Sequence, residues 1–180
     1  GRVPLMFNAD IAAYRCRPAT AMDQGYDFYR NGQSDDVIFV WAGGGWLESQ
    51  YGRLRYKLDD YIVIPRGTIY RLVPDDIAKE DYLILESAHP VRLPERYLHK
   101  EGQIRMGAPY SERDFHGPGE ILTHDKEGDF AILTKDRNRY TRNVMAGHPH
   151  DVVGWDGYLY PFTFNANDFE PITGTVHLPP

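Results

Sequence analysis

Two histidines separated by one residue form the most suggestive metal-binding pattern in the chain, His148 and His150 in the run HPHD. On a strand, residues two apart point to the same side, and neutral imidazole is a common metal ligand. A third ligand would have to come from Asp151, Asp156 or elsewhere. Because Pro149 favours a turn over a strand, we expect surface or interface histidines rather than a metal site.

Three other patterns suggest chemistry that their surroundings do not support. The acids of DKEGD at 125–129 lack the further ligands and closing glutamate of a calcium loop, so we expect a hairpin turn. The glycines at 43–45, between Trp41 and Trp46, precede an expected strand rather than the helix N-terminus that a phosphate cradle needs. We expect the two tryptophans on the barrel exterior or at a subunit contact. Cys16 has no neighbouring histidine in the sequence, which argues against a thiol enzyme.

Composition excludes several classes of function. The 180 residues carry a formal net charge of −6, and their basic residues are spread along the chain, so nucleic-acid binding is not expected. No apolar run approaches the roughly 20 residues of a membrane span. A single cysteine allows no intrachain disulfide and fits a reducing compartment, while a secreted protein without disulfides stays an alternative. We expect a cytoplasmic protein.

Short β-prone segments separated by turn residues predict an all-β fold, an antiparallel barrel or jelly-roll sandwich. We expect one helical turn at 94–99, a long irregular segment at 101–120 and a turn at 135–138. The predicted strands are 3–7, 13–17, 26–29, 37–41, 46–51, 54–58, 61–64, 70–73, 83–85, 131–134, 140–144 and 172–177.

The segment 34–74 resembles the core of a cupin barrel without its metal-binding histidines. Cupins commonly show G-x5-P-x-G-x2-H, and here DDYIVIPRGTIY places Asp59 at the first glycine and Tyr70 at the histidine. Aligning the family's carboxylate ligand with Asp36 places Tyr29 and Asn31 at its two other histidines. An oxygen-only site from Asp35, Asp36 and Glu48 would be a poor one, so we expect no metal and interpret Tyr70 as core packing.

Longer runs resemble the bacterial branch of the homogentisate 1,2-dioxygenase family over nearly the whole chain. The runs are YRCRPAT at 14–20, LPERYLHKEGQIRMGAPYSERDF at 93–115, DVVGWDG at 151–157, YPFTFN at 160–165 and DFEPITG at 168–174. The resemblance implies a ring-cleaving enzyme of tyrosine and phenylalanine catabolism, which converts homogentisate and O2 to maleylacetoacetate at Fe(II). It implies a metal-free N-terminal barrel, iron ligands in a C-terminal barrel beyond this chain, and a homo-oligomer, a trimer or hexamer.

The resemblance also implies a catalytic histidine near the substrate, for which His177 is the candidate. It divides the chain into a metal-free cupin-like barrel at 1–92, an irregular connecting segment at 93–127 and further strands at 128–180 that lead into the C-terminal barrel. We expect the 180 residues alone to be inactive and to bind no cofactor. The alternatives are a stand-alone metal-free cupin that binds a small aromatic or sugar ligand, and a structural oligomerisation domain.

Overall fold

The computed structural model describes residues 1–22, 27–151, 157 and 159–170. These residues form thirteen strands and four short 3-10 helices, the latter at Ile77–Lys79, Glu95–Tyr97, Glu112–Asp114 and Ala166–Asp168. The strands are β1 (Arg2–Phe7), β2 (Ile11–Cys16), β3 (Phe28–Asn31), β4 (Asp35–Ala42), β5 (Gly44–Ser49), β6 (Gly52–Lys57), β7 (Asp60–Ile64), β8 (Ile69–Pro74), β9 (Asp81–Ser87), β10 (Phe115–His116), β11 (Glu127–Asp136), β12 (Arg139–Gly147) and β13 (Phe162–Asn165).

The strands form two sheets, which confirms the predicted all-β, cupin-like sandwich. The seven-stranded sheet has the order β1-β2-β9-β4-β7-β13-β10, and the six-stranded sheet has the order β12-β11-β3-β8-β5-β6. Neighbouring strands are antiparallel except β11 and β3, which are parallel. Among the described residues, no helix is long and apolar enough to cross a membrane.

Alternation of side chains along each strand creates the core between the sheets. On β6, Leu54 and Tyr56 are buried while the intervening Arg55 is exposed, as expected for a strand with one solvated face. Ile38 and Ile62 of the seven-stranded sheet meet Leu47 of the six-stranded sheet in one apolar cluster. Burial of this cluster holds the two sheets together.

The turns of the predicted motif explain its glycine pattern. Asp59 connects β6 to β7 with a φ of 66°, and Gly67 has a φ of 87°. Both positions therefore require left-handed backbone, which glycine adopts freely and aspartate tolerates better than most residues. Asp59 therefore adopts, at the motif's first glycine position, a backbone conformation that glycine favours. The predicted turn at 135–138 is confirmed in its second half, since Arg137 and Asn138 have φ values of 47° and 58°.

Several strands have other bounds than predicted. The strand expected at 26–29 lies at Phe28–Asn31, and the strand expected at 46–51 lies at Gly44–Ser49. The strand expected at 131–134 is longer and extends over Glu127–Asp136. The acidic run at 125–129 is therefore not a hairpin turn. It leads into β11, where a register shift between Glu127 and Phe130 accommodates Gly128. The strand expected at 172–177 lies outside the described residues.

The later strands pair with the earlier ones. β11 adjoins β3, and β13 adjoins β7 and β10. The expected helical turn at 94–99 is confirmed as the 3-10 helix Glu95–Tyr97, which Pro94 precedes. The irregular segment packs against its own chain, because Tyr110 contacts the rings of Phe115 and Phe164. The division at residues 92 and 127 stays a prediction.

Candidate functional site

The four positions aligned with the cupin metal ligands converge between the two sheets. Asn31 Nδ2 donates to Asp36 Oδ1 at 2.8 Å, and the Tyr70 hydroxyl donates to Asp36 Oδ2 at 3.1 Å. The rings of Tyr29 and Tyr70 meet edge to face, with centroids 5.6 Å apart. All four residues are buried. Tyr70 is thus a hydrogen-bonding partner of Asp36 as well as a packing residue.

Two cations and a second carboxylate complete the site. Strand register places Glu86 of β9 directly opposite Asp36 of β4, so that two carboxylates lie side by side in the interior. Arg2 Nη1 donates to Glu86 Oε1 at 2.6 Å, and Arg2 Nη2 lies 3.8 Å from Asp36 Oδ2. Lys135 from the opposite sheet donates to Glu86 Oε2. We name Arg2, Asp36, Glu86 and Lys135 the charge cluster.

Burial and pairing act against each other on the pKa values of the cluster. Burial raises the pKa of the Asp36 carboxyl, while Arg2 and the two hydrogen bonds oppose that shift. Burial alone would lower the pKa of Arg2, but attraction to Asp36, with smaller contributions from Tyr70, Tyr29 and Glu86, raises it well above its ordinary value. Arg2 therefore stays charged and compensates both carboxylates.

The residues of this site do not fit an iron ion. Tyr29 and Asn31 replace imidazoles, and the Arg2 guanidinium supplies the positive charge beside Asp36. Asp35 accepts from the backbone N–H groups of Arg66 and Val91, and Glu48 pairs with Arg71, so neither carboxylate joins Asp36. Within the described part of the chain, no group of three His, Cys, Asp or Glu side chains could hold a metal ion.

A cavity of about 370 Å³ lies between the sheets, and Arg2 is the member of the charge cluster that lines it. Arg2, Tyr29 and Tyr70 line it at one end, and Leu72 and Ile84 line its walls. Cys16 also faces it and is half-buried, and burial raises the pKa of its thiol. A raised pKa disfavours the thiolate form of Cys16, and the expectation that the chain is not a thiol enzyme stays a prediction.

The histidine pair is buried, so the expectation of surface or interface histidines was wrong. His148 is 5% exposed and His150 is 1% exposed. His148 Nδ1 accepts from the backbone N–H of His150 at 3.0 Å, and His150 Nε2 lies 3.1 Å from the Ile69 carbonyl oxygen. Burial is the main reason that the pKa of each imidazole falls to about 4. The pair is a neutral, hydrogen-bonded element of the core.

The glycine-rich turn is shaped by Glu80. Gly44 N–H donates to Glu80 Oε1 at 2.9 Å, and a side chain on Gly43 would collide with the same carboxylate. Trp41 is 63% exposed, whereas the guanidinium of Arg53 lies over the Trp46 ring, 4.5 Å from its centroid. Both tryptophans lie on the outside of the sandwich, as expected.

The candidate catalytic residue His177 lies outside the described residues, and its role stays a prediction. Sequence reasoning missed Arg2, Glu86 and Lys135. One signal could have found Glu86, because it falls in phase with the inward-facing Tyr82 and Ile84. A charged residue at an inward-facing position of an apolar strand indicates a buried partner.

A family model described as the N-terminal part of homogentisate 1,2-dioxygenase matches residues 4–166. The chain belongs to this family. Two curated relatives of the chain carry the name dioxygenase. A protein of Saccharolobus solfataricus, provisionally named a dioxygenase, is 36% identical over 99% of this chain and 45% of its own length. The homogentisate 1,2-dioxygenase of Emericella nidulans is 26% identical over 84% of this chain and 33% of its own length.

The chain thus spans less than half the length of these curated relatives. Among solved structures, one from Pseudomonas aeruginosa, provisionally titled a glyoxylate induced protein, covers 91% of this chain and 74% of its own. Its sequence identity is 13% and its TM-score is 0.39. That score is too low for an argument about function.

Proposed function

We propose that this chain is the metal-free N-terminal part of an Fe(II)-dependent dioxygenase that cleaves the ring of homogentisate with O2 to give maleylacetoacetate. The match of the family model to residues 4–166 carries the proposal. The name of the Emericella nidulans relative supports homogentisate as the substrate.

The charge cluster supports a structural role for this barrel in that enzyme. Arg2 lies beside the carboxylate that aligns with a metal ligand, and its charge replaces that of an ion. Iron would bind elsewhere in the protein, and its role would be to bring substrate oxygens and O2 together. The residues of this chain would form one wall of the active site and would make the subunit contacts. His177 is the residue that we propose to take the phenolic proton of the substrate.

The proposed setting is a homo-oligomer, a trimer or hexamer, in the cytoplasm. Exposed apolar side chains on the edge strand β1 support a subunit contact there, with Leu5 55% and Phe7 80% exposed. Mass determination in solution, by light scattering, tests this part of the proposal.

The test of the activity compares the full-length protein with the chain of residues 1–180. We expect the full-length protein to contain iron and to consume O2 when homogentisate is added. We expect neither from the chain of residues 1–180. A cooperative unfolding transition of the shorter chain first shows that it is folded. Gentisate, which carries its carboxyl directly on the ring, is the matched substrate control. Iron-dependent turnover by residues 1–180, or none by the iron-loaded full-length protein, would contradict the proposal.

A further inference from the structure

We propose that the cavity between the two sheets binds a small, neutral aromatic molecule with a phenolic oxygen, which accepts hydrogen bonds from Tyr29 and Arg2. This site lies in the metal-free barrel, and the inference does not depend on ring-cleaving activity.

The polar end of the cavity offers hydrogen-bond donors that the protein leaves unused. The Tyr29 hydroxyl is buried without a hydrogen-bond partner, and Tyr29 itself is 4% exposed. A buried hydroxyl without a partner carries a substantial desolvation cost, which a ligand oxygen would remove. Arg2 also lines the cavity, and its Nη2 lies 3.8 Å from Asp36 Oδ2, beyond hydrogen-bond length. A ligand oxygen that accepts hydrogen bonds from both groups would satisfy these donors.

The charges around that end favour a neutral ligand. Arg2 lines the cavity, whereas Asp36, Glu86 and Lys135 lie behind it, and in this cluster two cations balance two carboxylates. Both Asp36 oxygens accept hydrogen bonds, from Asn31 and Tyr70, which is the pattern of an ionised carboxylate. An anion bound to Arg2 would compete with the two carboxylates that Arg2 already compensates, and would leave an uncompensated charge in the interior. A phenol supplies the acceptor oxygen without that charge.

The remaining walls fit a single aromatic ring. Aliphatic side chains from both sheets, Ile38, Leu72, Ile84 and Leu133, line the cavity together with Tyr82. An apolar cavity of about 150 Å³ can admit benzene, so a space of about 370 Å³ accommodates a substituted ring. Cavities of this size and mixed lining are typical of small-molecule sites.

The test is calorimetric titration of the protein with three probes of similar size. We expect p-cresol to bind, toluene to bind about tenfold more weakly because it lacks the oxygen, and phenylacetate to bind no better than toluene. Tighter binding of phenylacetate than of p-cresol would overturn the preference for a neutral ligand. Absence of p-cresol binding at millimolar concentration would overturn the site itself.

Two variants locate the bound molecule. Tyr29→Phe removes the unpartnered hydroxyl and should lower p-cresol affinity about tenfold while leaving toluene affinity unchanged. Tyr110→Phe is the matched control, because the Tyr110 hydroxyl is also buried without a partner but does not line this cavity. Equal losses in both variants, or none in Tyr29→Phe, would contradict the assignment. The comparison of p-cresol with toluene on the unmodified protein requires no variant to fold.

Discussion

Arg2 and Glu86, 84 positions apart in the sequence, are joined by a hydrogen bond of 2.6 Å between Nη1 and Oε1 inside the sandwich. Glu86 Oε2 also accepts a hydrogen bond from Lys135 Nζ, and Glu86 lies opposite Asp36 on the neighbouring strand. This one carboxylate therefore connects the edge strand β1, the central strand β9 and the facing strand β11. At the position aligned with the cupin metal ligands, Asp36 therefore lies beside Arg2 and Glu86 and accepts hydrogen bonds from Asn31 and Tyr70.

Glu86→Gln should lower the free energy of unfolding by about 3–5 kcal/mol, because it leaves the buried Lys135 and the largely buried Arg2 facing one carboxylate. Urea denaturation measures the change. The double variant Glu86→Gln/Lys135→Met should recover part of the loss, since one uncompensated cation is then removed. The single variant Lys135→Met completes the comparison. If the loss of unfolding free energy in the double variant equals the sum of the losses in the two single variants, Glu86 and Lys135 do not interact.

Asp75→Asn provides the matched control for that charge change. Asp75 pairs with Arg55 on the surface, where both side chains are about half exposed. Because water screens an exposed ion pair, it adds little to stability, and the urea midpoint of this variant should stay close to that of the original protein.

Acid should destabilise the protein through the buried pair His148 and His150. Both imidazoles have a pKa of about 4 in the folded chain, against about 6.5 in the unfolded chain. The unfolded state therefore binds protons first as the pH falls. The stability contributed by the neutral pair is complete above about pH 6.5 and is lost between there and pH 4, on the order of 2–3 kcal/mol per histidine.

Urea denaturation at several pH values between 7.5 and 4 measures this loss. His150→Gln should flatten the profile in that window, whereas His89→Gln should leave it unchanged because His89 is exposed. An identical slope in the original protein and in His150→Gln would show that the pair does not cause the acid sensitivity.

Gly45→Ala should destabilise the fold by about 2–3 kcal/mol or more, because a Cβ there would lie 2.4 Å from the Val73 carbonyl oxygen and 2.8 Å from Pro74 Cα. These are backbone atoms of the neighbouring strand, which can move only with β8. Gly107→Ala is the control, since nothing lies within 4 Å of its added Cβ. Equal thermal unfolding midpoints for the two variants would contradict the close approach.

Asp59→Ala should cost about 1 kcal/mol, and Asp59→Gly should cost less, because the left-handed φ of 66° strains alanine but not glycine. Both variants lose the hydrogen bond from Asn167 Nδ2 to Asp59 Oδ2, so their difference isolates the backbone effect. Chemical denaturation of the two variants under the same conditions gives that difference. A more stable alanine variant would refute the explanation of this turn.

The amino-acid sequence by itself determined the fold class, the family, most of the strands and the absence of imidazole from the barrel's metal positions. These features depend on alternation, turn residues and ordered motifs, which are local in the chain. Only the tertiary structure decided which charged side chains lie beside Asp36. Arg2, Asp36, Glu86 and Lys135 meet through strand order and register across β1, β4, β9 and β11, and register between distant strands is fixed by the packing of the whole sandwich. The burial of His148 and His150 was decided in the same way, by the packing of Phe28 and Phe130 around the His148 ring.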